Sequence, residues 1–319
     1  MRTILDIFLL MLGFALLIQS AKVFVTASVA IAKRLKIPTL VIGLTVVAMG
    51  TSAPEVVISV SAAIGGSGDL AIANVVGSNI FNLLFIVGFC ALIYPISVKM
   101  KKISRDYWAS VVATVLLLVM VVFFGDAIPR WGGLILLVGF LAYMFIVVRG
   151  ALKNKTDNED KDKDKEATPS RPLWQNIGLA ILGIAVIIGA GQLTVSSAVN
   201  IATTMGITQR IIGLTIVAMG TSLPELITTL IACRKNEGEF ALGFIIGSSI
   251  FNIAFVLGLS GLIIPLAIDP GVLFDMSVLT IGTLAFFLIG KTNERVVRLE
   301  GLGMMLFYVG YMAWVVIGA

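Results

Sequence analysis

Long apolar runs, separated by short polar segments, cover almost the whole chain. A transmembrane helix requires about 20 predominantly apolar residues, and ten runs approach or exceed that length. The runs are, approximately, residues 4–28, 38–64, 70–94, 107–124, 131–149, 175–199, 211–232, 239–265, 272–289 and 300–317. One polar stretch, residues 153–170, separates the first five from the last five. The pattern predicts an all-α polytopic membrane protein with ten transmembrane helices.

The composition supports this interpretation and removes several kinds of site. Hydrophobic residues make up 58% of the chain and charged residues 13%, with a mean hydropathy of +1.05, whereas soluble domains carry about 25% charged residues. The chain has no histidine and two cysteines, Cys90 and Cys233. Histidine ligation of haem or zinc is therefore excluded, and no disulfide framework is expected.

The sequence contains an internal repeat at an offset of 170 residues. GLTVVAMGTSAPE, ending at Glu55, returns as GLTIVAMGTSLPE, ending at Glu225, with eleven of thirteen positions identical. GSNIFN, ending at Asn82, returns as GSSIFN, ending at Asn252. Because each copy holds five expected spans, an odd number, the second copy must enter the membrane inverted. Inverted repeats are typical of secondary transporters, whose sites lie near the membrane midplane between the repeats.

The repeat divides the chain into three parts. We expect a first five-helix repeat over residues 1–150, a disordered cytoplasmic linker over 151–172 and a second, inverted repeat over 173–319. The linker alternates acidic and basic residues, which favours a solvated tether. Loops on the linker side carry 19 basic residues, and those on the side of the termini carry three, Arg2, Arg130 and Arg210. The positive-inside rule places both termini outside and the linker in the cytoplasm, so the net charge of +5 does not indicate a nucleic-acid partner.

Each GTSxPE motif places a glutamate within apolar sequence. A carboxylate there costs several kcal/mol unless a cation or a polar group meets it, so an intramembrane glutamate indicates a functional site. Pro54 lacks an N–H and clashes with the carbonyl four residues before it, which predicts a broken helix. Backbone oxygens freed at membrane depth are tolerated where they face protein or a polar cavity. The two motifs therefore predict one shared cation site around Glu55 and Glu225.

The GSxxFN motifs predict the facing wall of that site. Ser78 and Asn82 are four residues apart, as are Ser248 and Asn252, so each pair presents oxygens on one helix face. A glycine precedes each serine and allows close helix approach. The ligands are then all oxygen, which suits the hard cations Ca2+ or Na+ rather than softer metals.

The doubled GTSxPE and GSxxFN motifs resemble the two alpha repeats of the calcium/cation antiporter superfamily, in its Na+/Ca2+ exchanger branch, over most of the chain. The resemblance implies that Glu55 and Glu225 carry Ca2+ with the backbone carbonyls of Thr51 and Thr221. It implies Na+ sites around the same glutamates. The further residues that it implies for these sites are Ser52, Ser222, Ser78, Ser248, Ala48, Ala218, Asn82 and Asn252. A secondary antiporter of this kind, in the plasma membrane, exchanges Na+ for Ca2+ by alternating access. Such an antiporter extrudes Ca2+, and the Na+ gradient drives the extrusion.

Two departures keep alternatives open. Some relatives carry Asp at one of the two Asn positions, whereas this chain has Asn82 and Asn252, and Ser249 replaces the Asn79 of the first copy without an evident reason. A K+-dependent exchanger, an H+/Ca2+ antiporter and a cation channel remain alternatives, while the sequence offers neither a nucleotide site for a pump nor a catalytic constellation for an enzyme. We expect Ca2+, Na+ and the bilayer as partners, with no resident cofactor, nucleic acid or obligatory protein partner.

Overall fold

The computed structural model describes residues 2–98, 100–158, 171–205, 218–269, 271–293 and 295–318. These residues are mostly helical. Before the linker the elements are α1 (Arg2–Leu35), α2 (Thr39–Ile42), π1 (Gly43–Val47), α3 (Ala48–Thr51), α4 (Ala53–Ile64), α5 (Gly68–Ile80), π2 (Phe81–Ile86), α6 (Val87–Ile93), β1 (Ile96–Ser97), α7 (Met100–Phe124), β2 (Ala127–Ile128) and α8 (Arg130–Asn158).

The elements after the linker largely repeat these bounds 170 residues later. They are α9 (Leu173–Thr204), α10 (Ala218–Thr221), α11 (Leu223–Arg234), α12 (Gly238–Ile250), π3 (Phe251–Val256), α13 (Leu257–Ile263), β3 (Leu266–Ala267), α14 (Val272–Asn293), β4 (Arg295–Val296) and α15 (Arg298–Gly318). The runs α3–α6 and α10–α13 match residue for residue at that offset. The motif duplication in the sequence is therefore also a duplication of local structure.

Seven helical stretches in the described part of the chain are long and apolar enough to cross a membrane. Counting the bent pair Thr39–Thr51 and Ala53–Ile64 as one further span makes eight. The expected span at 211–232 begins outside the described residues, and the one at 300–317 coincides with α15. The chain is thus a multi-pass membrane protein, and the count of ten stays a prediction.

Two helical runs form the centre of the molecule. In an apolar 18-residue stretch of each helical run, 72% of the residues are buried in Gly68–Ile93 and 89% in Gly238–Ile263, against 22% in Thr3–Leu35. The peripheral helices α1, α7, α8, α9, α14 and α15 expose large apolar side chains, which suits contact with lipid. Helices of one half pack against the other: α1 against α9, α8 against α13 and α15 against α6.

Two short antiparallel strand pairs also join the halves. β1 pairs with β4 through Ile96 and Val296, and β2 pairs with β3 through Ile128 and Leu266. The four strands lie in connections between helices, so these pairs tie loops of one half to loops of the other. Strands of two residues leave no signal in the pattern of apolar runs, so they could not be predicted from the sequence.

The boundary between the first repeat and the linker differs from expectation. α8 continues to Asn158, so the first residues of the segment expected as a disordered linker are helical. Residues 159–170, which contain most of the alternating charges, lie outside the described residues.

Candidate cation-binding site

The first GTSxPE motif forms a break between two helices. α3 ends at Thr51, Ser52 has φ −81° and ψ 14°, and α4 begins at Ala53 with Pro54 in its first turn. The helical axis bends by 50° between Thr39–Thr51 and Ala53–Ile64. Proline is tolerated in the first turn of a helix because the N–H that it lacks has no intrahelical partner there. The predicted break is confirmed in this half, and it places Glu55 in the first turn of α4.

The second motif repeats this geometry where it is described. α10 ends at Thr221, Ser222 has φ −92° and ψ 8°, and α11 begins at Leu223 with Glu225 in its first turn. The residues that would precede α10, 206–217, lie outside the described part of the chain.

Each glutamate is held by the serine of the other motif. Ser52 Oγ donates to Glu225 Oε1 at 3.1 Å, and Ser222 Oγ donates to Glu55 Oε1 at 3.3 Å. Both carboxylates are buried, with 1% of Glu55 and 0% of Glu225 exposed. Each sits at a helix N-terminus, where the helix dipole favours negative charge. Over the described residues, neither glutamate is paired with a lysine or arginine.

The motif threonines follow the same crosswise arrangement. Thr221 interacts with Glu55, and Thr51 interacts with Glu225. The Thr51 hydroxyl also donates to the Val47 carbonyl at 3.0 Å. Two hydroxyl-bearing residues of one half therefore surround the carboxylate of the other half.

The expected alanine positions lie one turn before each break. Ala48 is buried, and its carbonyl oxygen accepts the Ser52 N–H at 3.1 Å. The Thr51 hydroxyl lies within hydrogen-bonding distance of the same oxygen, at 3.4 Å. Ala218 begins α10. The Ser222 N–H instead donates to Met219 at 3.2 Å, so the two breaks differ at this position.

The GSxxFN motifs lie on elements that pack against those of the GTSxPE motifs. Ser52 Oγ and Ser248 Oγ are hydrogen-bonded at 3.3 Å, which joins the two motif types across the halves. Because the single Ser52 proton is donated to Glu225, Ser248 is the donor in this bond. Ser78, Asn82 and Asn252 are buried. Asn82 and Asn252 lie in π2 and π3, and these segments pack against α11 and α4, the helices that carry Glu225 and Glu55. π-Helical turns occur frequently at functional sites.

Several buried polar atoms in this region lack a protein partner. Buried polar groups in proteins are nearly always hydrogen-bonded, so such a concentration needs an explanation. Within the described residues the atoms without one are Glu55 Oε2, Glu225 Oε2, Ser78 Oγ, Asn82 Oδ1 and Nδ2, Asn252 Oδ1, Thr228 Oγ1 and Thr229 Oγ1. All but one are oxygens, the ligand atoms that Na+ and Ca2+ prefer. The described residues hold no cluster of three or more His, Cys, Asp or Glu side chains, so a cation here would rely on neutral oxygens besides the two carboxylates.

The glycine at the start of the second GSxxFN motif makes the expected close contact. A Cβ on Gly247 would lie 2.5 Å from the Leu44 carbonyl oxygen and 2.7 Å from the Leu44 Cα. A Cβ on Gly77 would meet none of the described residues within 4 Å. The corresponding partner of Gly77 by the repeat, Leu214, lies outside the described part of the chain.

A cavity and a packed helix pair lie next to the broken helices. A cavity of about 230 Å³ lies beside the breaks, between α4, α9 and α10–α11; its lining includes Pro54, Ile58, Gln192, Thr221 and Pro224. α1 packs against α11. There Lys235 Nζ donates to the Lys22 carbonyl at 3.1 Å and to the Thr26 hydroxyl.

Two contacts in and around the site were not predicted from the sequence. Asn79 is fully buried and hydrogen-bonded across the halves to the Ser249 carbonyl and the Asn252 side chain. The only indication of this contact in the sequence was that the repeat has asparagine at position 79 and serine at the equivalent position 249. Cys90 and Cys233, treated as unrelated, have interacting thiols in the structure and remain free cysteines.

Comparison with known proteins identifies close relatives over nearly the whole chain. The family described as "Sodium/calcium exchanger protein" matches residues 5–149 and 175–317. The inner membrane protein YrbG of Escherichia coli is 36% identical, over 96% of this chain and 94% of its own. The sodium/calcium exchanger MaX1 of Methanosarcina acetivorans is 32% identical, over 95% and 96%. A solved structure of the sodium-calcium exchanger NCX_Mj, soaked with Na+ and Sr2+, superposes with a TM-score of 0.84 at 30% identity, covering 98% of this chain and 99% of that one.

Proposed function

This chain belongs to the sodium/calcium exchanger protein family, and we propose that it is a secondary antiporter that exchanges Na+ for Ca2+ through the site around Glu55 and Glu225. The observation that carries the proposal is the pair of buried carboxylates, each without a cationic side chain among the described residues and each with one unpartnered oxygen. Such a pair requires cations from outside the protein. MaX1 and NCX_Mj, which align along their whole length, are named sodium/calcium exchangers.

We infer the transport cycle from the charge of this pair. Two ionised carboxylates are neutralised either by one Ca2+ or by Na+ ions, and the shared ligands prevent both from binding together. Loading of one ion therefore displaces the other, which couples their movements in opposite directions. With the Na+ gradient directed into the cell, the cycle extrudes Ca2+.

Alternating access is supported by the unequal packing around the breaks. A cavity lies beside Pro54 and Pro224, whereas α1 packs against α11 and accepts hydrogen bonds from Lys235. We propose that these two arrangements interchange during transport. In this scheme ten helices form two inverted five-helix repeats, residues 1–150 and 173–319, with the broken helices at the midplane.

We place the protein in the plasma membrane with both termini outside and the segment 151–172 in the cytoplasm. The support is the basic-residue bias of 19 to three between the two sets of loops.

The function can be tested with purified protein in proteoliposomes. We expect 45Ca2+ loaded inside to leave when Na+ is added outside, and to stay when K+ or a pH gradient is imposed instead. Efflux driven by protons alone would identify an H+/Ca2+ antiporter, and a requirement for K+ would identify K+ co-transport. Flux without any counter-ion, at rates far above carrier turnover, would indicate a channel.

A further inference from the structure

The hydrogen bonds of Asn79 reach from the first half of the chain to both the backbone and a side chain of the second. Asn79 Nδ2 donates to the Ser249 carbonyl at 3.3 Å, and Asn252 Nδ2 donates to Asn79 Oδ1 at 3.3 Å. We infer that Asn79 is a positioning residue that fixes the side-chain amide of Asn252 with its oxygen directed at the bound cation.

The orientation of both amides follows from a single acceptor. A backbone carbonyl can only accept hydrogen bonds, so the Ser249 carbonyl requires the NH2 group of Asn79. The Oδ1 atom of Asn79 is then turned towards Asn252. Because this oxygen also only accepts, Asn252 must present its own NH2 group to it. The backbone of the second half thus sets the orientation of Asn252 through Asn79.

The remaining atom of the Asn252 amide is the one that a cation would contact. Asn252 Oδ1 is buried and has no hydrogen-bond partner among the described residues. Asn252 lies four residues after Ser248, whose hydroxyl joins the cluster around Glu225, and π3 packs against α4. A flipped amide would direct NH2 at the cation instead, and that group would repel it.

Among the described residues, the equivalent hydrogen bonds are missing around Asn82 in the other half, so Asn82 and Asn252 differ in how their side chains are held. Ser249 occupies the position equivalent to Asn79, and its hydroxyl donates to the Ile245 carbonyl of its own helix at 3.0 Å. Neither Oδ1 nor Nδ2 of Asn82 has a hydrogen-bond partner among the described residues. Among the described residues, the site therefore holds one amide oriented by hydrogen bonds and one without them, which gives the difference between GSNIFN and GSSIFN a structural meaning.

The inference rests on the proposed site, because it needs a cation beside Asn252, but its test does not need transport. We would measure equilibrium binding of 45Ca2+ to the purified protein in detergent. Asn79→Ala, and Asn79→Ser as a second variant that keeps a small polar group, should weaken binding about five-fold, the loss of one net hydrogen bond. Ser277→Ala, which removes a hydroxyl that donates to the Leu273 carbonyl of its own helix at 2.7 Å, is the matched control and should bind like the unmodified protein.

Repeating the measurement in an Asn252→Asp variant separates an effect on the orientation of the residue-252 side chain from an effect on the stability of the protein. Asn252→Asp replaces the amide by a carboxylate, whose two oxygens are equivalent and need no orientation. In that background Asn79→Ala should no longer weaken Ca2+ binding. An equal loss in both backgrounds would assign Asn79 a purely structural role and overturn the inference, as would unchanged binding by Asn79→Ala alone. Ca2+ binding with these properties but without Na+-driven flux would overturn the exchange function and leave the role of Asn79 intact; absence of Ca2+ binding in the unmodified protein would overturn both.

Discussion

Ser52 and Glu225 lie 173 residues apart in the sequence and are joined by a hydrogen bond of 3.1 Å. The reciprocal bond runs from Ser222 to Glu55 at 3.3 Å. Each half therefore carries the carboxylate that the other half holds in place. Because the bonds run in both directions, each half supplies a serine to the carboxylate of the other half. A change to the serine of one motif therefore alters the surroundings of the glutamate in the other motif.

Replacing either glutamate by its neutral isostere should abolish Ca2+ exchange while the protein still folds. Glu55→Gln or Glu225→Gln keeps the size of the side chain and removes a buried anion, so insertion should be unaffected, but one Ca2+ needs both charges. The measurement is Na+-driven 45Ca2+ efflux from proteoliposomes, with expression and elution volume as the check on folding. Asp69→Asn, at an exposed position at the start of α5, is the control and should transport normally. Normal Ca2+ efflux by either glutamine variant would overturn the proposal that Glu55 and Glu225 carry Ca2+ together.

An added methyl group at Gly247 should destabilise the protein. Its Cβ would lie 2.5 Å from the backbone oxygen of Leu44, and backbone atoms cannot move aside as a flexible side chain can. Gly247→Ala should cost about 1–3 kcal/mol, typical of overpacking, and should lower the melting temperature in detergent. Gly139→Ala, where a Cβ would meet no described atom within 4 Å, should leave the melting temperature unchanged. Equal melting temperatures of the two variants would show that α12 does not approach π1 this closely.

Transport should be electrogenic if three Na+ exchange for one Ca2+, the occupancy implied by resemblance to the exchanger branch. Two ionised glutamates give the site a charge of minus two, and Asn82 and Asn252 add none. Ca2+ brings the charge to zero and three Na+ bring it to plus one. Each cycle then moves one positive charge opposite to Ca2+, worth about 2.3 kcal/mol per 100 mV.

The electrical prediction is checked with a potential clamped by valinomycin and K+. In proteoliposomes, a potential negative on the side from which Ca2+ leaves should accelerate Na+-driven efflux, and the opposite potential should slow it. Flux that is indifferent to either sign would favour the exchange of two Na+ for one Ca2+. The absence of a third carboxylate at Asn82 or Asn252 would then be one reason for a missing Na+ site.

The orientation in the membrane is tested by cysteine labelling in intact cells. In a Cys90→Ala, Cys233→Ala background, a cysteine introduced at Lys163 should react with a membrane-impermeant maleimide only after the cells are opened. A cysteine at Arg130, on the side assigned to the outside, should react in intact cells. The reverse pattern would overturn the assignment from basic residues.

The sequence predicted those parts of the site that depend on local chemistry. Pro54 cannot continue a helix, so the break before Glu55 could be placed to within two residues. The 170-residue offset paired each motif with its copy, and the structure brings Ser52, Glu225 and Ser248 together across the halves. The ion-binding roles of these residues stay predictions.

What the sequence could not supply are features that arise only from contacts between distant elements. The orientation of Asn252 depends on Asn79 and on a carbonyl of another helix, and no spacing rule encodes that geometry. The π-helical turns that carry Asn82 and Asn252 differ from α-helix by one residue per turn, a difference that apolar periodicity does not resolve over six residues. The close approach at Gly247 was expected from its small size, but its partner, Leu44, could not be identified.

The two short strand pairs bear on whether the two halves must belong to one polypeptide. β1–β4 and β2–β3 each draw one strand from residues before the linker and one from residues after it. Together with the packing of α1 on α9, α8 on α13 and α15 on α6, they join the halves at many points outside the linker. We expect these contacts to hold the halves together without it. A gene cut within the linker would then encode two polypeptides, one ending at residue 158 and one beginning at residue 171, that recognise each other in the bilayer. In that case the linker would not be needed to hold the fold together, and the two halves would assemble as separate subunits.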